Sequence, residues 1–132
     1  MADIDAALLA LGDQRFVSLT TFRKTGERVS TPVWIAREGH ALVVTTPSGS
    51  GKVKRLRRDP RVELQPCSRT GRVDETDVPA TGTAEILTGS GVRQRLTSII
   101  REKYRMEYRV VMGIERLVSR RNRERFILRI TP

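Results

Sequence analysis

The sequence predicts a mainly β fold, a small antiparallel β-barrel with short helices at its periphery. Three observations carry this. About six segments alternate apolar and polar residues with period two, the mark of half-buried strands. Short Gly-containing turns separate several of them, which favours hairpins over crossover units. The helical stretches are few and short, and they do not alternate regularly with strands as a doubly wound sheet requires.

The elements follow in order. Asp3 to Gly12 reads as a short helix, with Ile4, Ala7, Leu8 and Leu11 on one stripe, Asp3 as cap and Gly12 as terminator. Phe16 to Phe22 is a strand with Val17, Leu19 and Thr21 on one face. Arg23 to Glu27 is a turn, and Val29 to Ala36 is the returning strand of a hairpin. Pro32 lies inside that strand and has no N–H for a ladder. The strand is therefore an edge, a bulge, or a backbone left open to a ligand. Trp34 shares the face of Pro32, as a core residue or as a ligand contact.

Glu38-Gly39-His40 is a second turn and Ala41 to Thr46 a β-branched strand. Pro47 to Gly51 is a Gly/Ser turn, and Lys52 to Arg58 a helix burying Val53 and Leu56, stopped by Asp59-Pro60. Arg61 to Pro66 is a strand with Val62 and Leu64 inward, followed by a polar loop to Asp77. Val78 to Leu87 is a strand, and Gly89-Ser90-Gly91 opens a helix carrying Val92, Leu96, Ile99 and Ile100 on one face. A weaker helical pattern uses Val110, Val111, Ile114, Leu117 and Val118. Arg125 to Ile130 closes the chain with Phe126, Leu128 and Ile130 inward.

At 132 residues the chain is expected to form one domain over 1–132, enough to bury roughly two-thirds of its unfolded surface. A formal net charge of +10 points to an anionic partner. Only 5% of residues are aromatic, which argues against single-stranded nucleic acid, whose binders need stacking platforms. One cysteine (Cys67) and one histidine (His40) exclude a disulfide framework and argue against a zinc site or a catalytic triad. No apolar run is long enough to span a bilayer and no signal peptide is evident, so a cytoplasmic protein is expected.

The chemistry concentrates between Ala41 and Val62, where a strand, a Gly-rich turn and a helix start carry Lys52, Lys54, Arg55, Arg57, Arg58 and Arg61. Backbone N–H groups at such a helix start form an anion cradle. Ser50-Gly51-Lys52 imitates the end of a P-loop, but Thr46 occupies the leading Gly position and Val53 follows the lysine, so nucleotide hydrolysis is rejected. A helix of about two turns cannot point six cations one way. Lys52, with Lys54 and Arg55, is assigned to the ligand, and Arg57, Arg58 and Arg61 to the surface or to a long ligand tail.

The strings FVSLTTFRKTGERVSTPVWIA (16–36), VVTTPSGSGKVKRLRRDPRVELQPCSRTGR (43–72) and ATGTAEIL (80–87) resemble the split β-barrel flavin and deazaflavin oxidoreductases. That group includes pyridoxamine 5'-phosphate oxidase, and the likeness is closest to its coenzyme F420-dependent branch. The resemblance implies that Thr31, Pro32, Val33 and Trp34 line the ring, with backbone groups at its edge. It implies that Thr45, Thr46, Ser50, Gly51 and Lys52 bind the phosphate. The basic residues Lys54, Arg55 and Arg58 suit the oligoglutamate tail of F420. A homodimer is also implied, with two cofactors between protomers and the partner's Pro66–Arg72 loop approaching them.

Departures matter. Gly51 stands where pyridoxamine phosphate oxidases carry one of a basic pair, and Ile35 where they carry a ring-strand lysine. Their C-terminal substrate residues are not evident. Pyridoxamine phosphate oxidation is therefore not expected, and the lost contacts favour F420 over the alternative, FMN. The implied reaction is hydride transfer from C5 of the reduced deazaflavin to a small electrophilic acceptor. No general acid stands out: His40 falls on a turn, and Tyr104 and Tyr108 serve only if their helix reaches the site. An F420 carrier without turnover and a nucleic-acid-binding module are the other classes weighed.

Overall fold

The computed structural model describes residues 2–47, 49–89, 91, 92, 94–104 and 125–132. Helix α1 (Ala2–Ala10) runs into a 3-10 turn (Leu11–Asp13) and then strands β1 (Val17–Phe22), β2 (Arg28–Val33), β3 (Ile35–Glu38) and β4 (Ala41–Pro47). Helix α2 (Gly51–Arg58), β5 (Arg61–Pro66), β6 (Ala80–Leu87), helix α3 (94–104) and β7 (Arg125–Thr131) complete the described chain. The expected helix around 110–118 lies outside the described residues, as does Tyr108.

All seven strands form one antiparallel sheet in the order β2-β1-β5-β6-β7-β4-β3. Its two edge strands, β2 and β3, are separated in sequence by Trp34 alone. One residue can join opposite edges only if the sheet curls until they meet. The result is a mainly β split barrel, closed by the covalent chain at Trp34 and not by a ladder.

The single strand expected over Val29–Ala36 is thus two strands. Val33 pairs with Val17, and two residues on Ile35 pairs with Val44. Pro32 is not where the pairing breaks. It sits opposite Ser18, exposed on the edge strand. Arg23 N–H donates to Glu27 O at 2.8 Å, so 23/27 is a hydrogen-bonded pair. Alternation along an antiparallel ladder then makes Ser18/Pro32 a non-bonded pair whose strand-edge groups face away from β1. The missing N–H of Pro32 costs the ladder nothing there. Gly26, at φ 89°, supplies the left-handed residue of the intervening turn.

Two apolar clusters lie on opposite faces of the sheet. Leu19, Ile35, Leu42, Val44, Leu64, Leu128 and Ile130 fill the inside, joined by Leu8 and Leu11 from the N-terminal helical segment and Leu56 from α2. On the outside, Ala36, Val43 and Ile127 pack against Leu96, Ile100 and Tyr104 of α3. Period-two alternation therefore places both clusters, with one residue set per face. The buried pair Val53 and Leu56 is as expected from sequence, as are Val62 and Leu64.

Four local expectations change. Gly12 does not end α1 through a left-handed cap. It is buried in the 3-10 turn, where a Cβ would lie 2.8 Å from Arg37 Cβ, so close packing excludes a side chain. Val92 is 41% exposed and Val78 is 90% exposed, outside β6, so neither joins the core. Phe126 is only half-buried in β7, while Leu128 and Ile130 are fully inside.

Candidate functional site

The first turn of α2 is not capped by its own N-cap side chain. Ser50 holds the N-cap position with extended backbone, yet its hydroxyl makes no capping bond. That hydroxyl lies 3.1 Å from Thr46 Oγ1, at the end of β4. No acidic side chain occupies the first turn. The positive end of the helix is therefore neither capped by Ser50 nor neutralised locally. Gly51 contributes by its missing side chain: a Cβ there would lie 2.7 Å from Arg55 Nη1. The guanidinium of Arg55 thus folds back over the helix start. Its Nε donates to Thr21 Oγ1 at 2.7 Å, and Thr21 is fully buried on β1. Burial first, then the like charges of Arg23 and Arg58, lower the Arg55 pKa.

The basic residues separate by what they already hold. Arg61 grips Asp59 with both ends of its fork, the shortest contact being 2.7 Å, and this holds the Asp59 pKa at about 2. Arg28 reaches Glu63 at 3.1 Å. Neither Arg55 nor Arg58 makes a close ion pair with a carboxylate among the described residues, although the Arg58 charge helps to lower the Asp59 pKa. Arg58 donates instead to Phe22 O at 2.7 Å, a carbonyl beyond the last β1–β5 pair, Thr20/Glu63. At 100° per residue, Arg55 and Arg58 share one side of α2 and Lys52 flanks Arg55. Lys54 and Arg57 project from the other side, both exposed.

The structure therefore brings Thr46, Ser50, Gly51, Lys52 and Arg55 together at one helix start, and leaves Lys54 apart from them. Thr45 lies on β4 beside the strand division. The 35/44 pairing continued by one residue puts it opposite Trp34. Trp34 is half-buried and stacks on Tyr104, with centroids 4.8 Å apart and planes at 17°. Thr31 and Val33 face inward with their β1 partners Leu19 and Val17, whereas Pro32 faces out. The free edge of β2 presents Ser30 N–H and C=O and Pro32 C=O. Gly71, at φ 92°, comes from the Cys67–Val73 turn of the same chain and lies against the Pro32 ring, which a Cβ would meet at 3.5 Å.

Thr31 Oγ1 is buried without a hydrogen-bond partner. An unpaired buried hydroxyl costs about 1–3 kcal/mol. Thr31→Val keeps the shape and removes the group, so it should raise stability by about 1 kcal/mol, read by urea denaturation. Unchanged ligand affinity in that variant would show that the Thr31 hydroxyl does not serve the site.

Sequence reasoning missed Thr21 as the anchor of Arg55. The signal lay in Thr21, a polar residue on the inward face of a strand, which needs a partner when buried. His40 is exposed on its turn. Cys67 is half-buried and burial pushes its thiol pKa up, away from nucleophile character. No cluster of metal-binding side chains occurs among the described residues. A separate open cleft of about 860 Å³ lies between the 3-10 turn, β3 and α3, lined by Asp13, Arg37, Ile99 and Glu102 among others. None of the predicted site residues lines it. No described helix is long and apolar enough to cross a membrane.

Residues 4–132 match the family described as pyridoxamine 5'-phosphate oxidase. Among solved structures, Rv2991 from Mycobacterium tuberculosis is 23% identical with a TM-score of 0.65, covering 98% of this chain and 79% of that one. A Listeria innocua protein assigned by name to the pyridoxamine 5'-phosphate oxidases is 14% identical with a TM-score of 0.63, covering 98% and 92%. An F420 reductase is 16% identical with a TM-score of 0.59, covering 93% and 90%. At these identities the likeness is one of fold. No curated protein matches the chain.

Proposed function

Because the chain belongs to the pyridoxamine 5'-phosphate oxidase family, we propose that it is an oxidoreductase holding a phosphorylated ring cofactor at the split of its barrel, and that the cofactor is coenzyme F420. The observation that carries this reading is the pairing of a helix start that the Ser50 side chain does not cap and no first-turn acidic residue neutralises with two guanidinium groups, Arg55 and Arg58, that make no close carboxylate ion pair among the described residues. Anions are stabilised at such a helix start, and charge-assisted bonds from arginine are strong.

In this reading the N–H groups of the first α2 turn, the Thr46 and Ser50 hydroxyls, Lys52 and Arg55 bind the phosphate. Thr45 stands at the lip between phosphate and ring. The free edge of β2 from Thr31 to Val33, with Trp34, receives the ring edge. Arg58, one helical turn beyond Arg55, meets the carboxylates of the tail, and exposed Lys54 serves only the outer tail. FMN carries one phosphate and no such tail, so it leaves Arg58 without a role. When bound, the deazaflavin supplies hydride chemistry. The chain's own part is to bind, orient and exclude water. The Tyr104 hydroxyl is committed to backbone groups, so solvent is the proton source in this reading.

In this reading the protein works as a homodimer, in the cytoplasm, on a small electrophilic acceptor. The test is a fluorescence titration of purified protein with oxidised F420 and, separately, with FMN. Tighter binding of F420 is expected. Binding of FMN alone would overturn the cofactor assignment, and binding of neither would overturn the oxidoreductase reading.

A further inference from the structure

The last two described residues of helix α3, Lys103 and Tyr104, grip the strand division. Ile35 is the first residue of β3, an edge strand. Its N–H donates to the Tyr104 hydroxyl at 3.0 Å, so this residue turns its backbone polar groups away from β4. The hydroxyl in turn lies 2.7 Å from Arg15 O and 3.0 Å from Ile35 O, one of which receives its proton. Lys103 Nζ lies 2.6 Å from three carbonyl oxygens, those of Gly12, Gln14 and Ile35. An ammonium has three protons, and these three carbonyls account for all of them. The Tyr104 ring also lies flat on Trp34.

An edge strand presents unpaired N–H and C=O groups. Here the edge is sealed at Ile35 and left open three residues earlier, at Pro32. The boundary between sealed and open edge falls at Trp34, where the barrel splits. The Tyr104 ring shares the outer cluster with Leu96 and Ile100, but that packing explains neither its hydroxyl nor the Lys103 ammonium, which lies outside both clusters.

We propose that Tyr104 and Lys103 are positioning residues for the ring-binding segment, fixing where the strand divides and the plane in which Trp34 is held. This rests on the cofactor site lying along Thr31–Trp34. It assigns to Tyr104 a role through the backbone, distinct from that of a proton donor. Burial raises the pKa of this phenol, consistent with a hydroxyl that stays protonated as both donor and acceptor.

The test compares Tyr104→Phe with Leu96→Ala. The first keeps the ring and removes the hydroxyl. The second opens a cavity in the same cluster without touching Ile35. Trp34 is the only tryptophan, so its emission and its quenching by acrylamide report this site alone. Tyr104→Phe should weaken cofactor binding by about tenfold or more, as expected when a buried backbone N–H loses its partner. It should also increase quenching of Trp34. Leu96→Ala should lower the melting temperature further yet change both readings less than Tyr104→Phe does, with measurements made where both variants are folded. If both variants change binding and Trp34 in proportion to lost stability, Tyr104 is only structural and the proposal is overturned. If the wild type binds neither F420 nor FMN, the cofactor reading fails, and the Trp34 signature alone decides the positioning role.

Discussion

Arg55→Ala is expected to weaken F420 binding by about 1.5–3 kcal/mol, the range for a hydrogen bond to a charged group. At about 1.4 kcal/mol per decade this is roughly a 10- to 150-fold rise in Kd, read by fluorescence titration. The variant also strips Thr21 Oγ1 of its 2.7 Å donor inside the protein, so some stability is lost as well. Gly51→Ala separates the two effects. Its Cβ would stand 2.7 Å from Arg55 Nη1, the far end of a flexible side chain. The guanidinium must move, while the backbone keeps its place. Alanine is the better helix former by up to about 1 kcal/mol, so the melting temperature should hold or rise. Kd should nevertheless rise about tenfold, since the displaced fork no longer covers the helix start. Wild-type affinity in Gly51→Ala, with a destabilised Arg55→Ala, would make Arg55 a strut for Thr21 and remove it from the site.

The same residues explain how far the sequence was legible. Strand alternation gave both faces of the sheet, because a period of two is local and needs no knowledge of partners. Helical i, i+3 spacing, equally local, gave the buried pair Val53 and Leu56. Neither gave the strand division at Trp34. Residues 33–36 are a continuous apolar run, and the change of partner from β1 to β4 within it is a long-range event that the run does not mark. The cradle was legible as a motif, since a strand, a Gly/Ser turn and a helix start are contiguous in the chain. The sorting of its cations was not. Whether an arginine is available depends on which carboxylate it meets. Asp59 lies two residues from Arg61, but Glu63 reaches Arg28 only through the fold. The anchoring of Arg55 by Thr21, 34 positions away, is of the same long-range kind.

That sorting gives the sharpest contrast between cofactors. Arg58 and Arg61 are three residues apart and carry the same side chain, but their commitments differ. Arg61 is held by a bidentate pair with Asp59 and lies over the Phe22 ring, its guanidinium carbon 5.0 Å from the centroid. A ligand carboxylate could recruit it only by displacing a charge already satisfied. Arg58 gives one donor to a neutral carbonyl and keeps the rest of its fork. Arg58→Ala should therefore weaken F420 by about 1.5–3 kcal/mol if the fork meets a tail carboxylate, and leave FMN within about twofold of wild type. Arg61→Ala should change either affinity by less than about 1 kcal/mol, as for an exposed pair. The Arg58 effect should also shrink as salt rises, because the tail contact is partly exposed and screening acts within about 10 Å at 0.1 M. Equal losses for F420 and FMN in Arg58→Ala would assign this residue to the phosphate. No loss for either would confine the cofactor to the helix start and leave Arg58 as a cap on the Phe22 carbonyl.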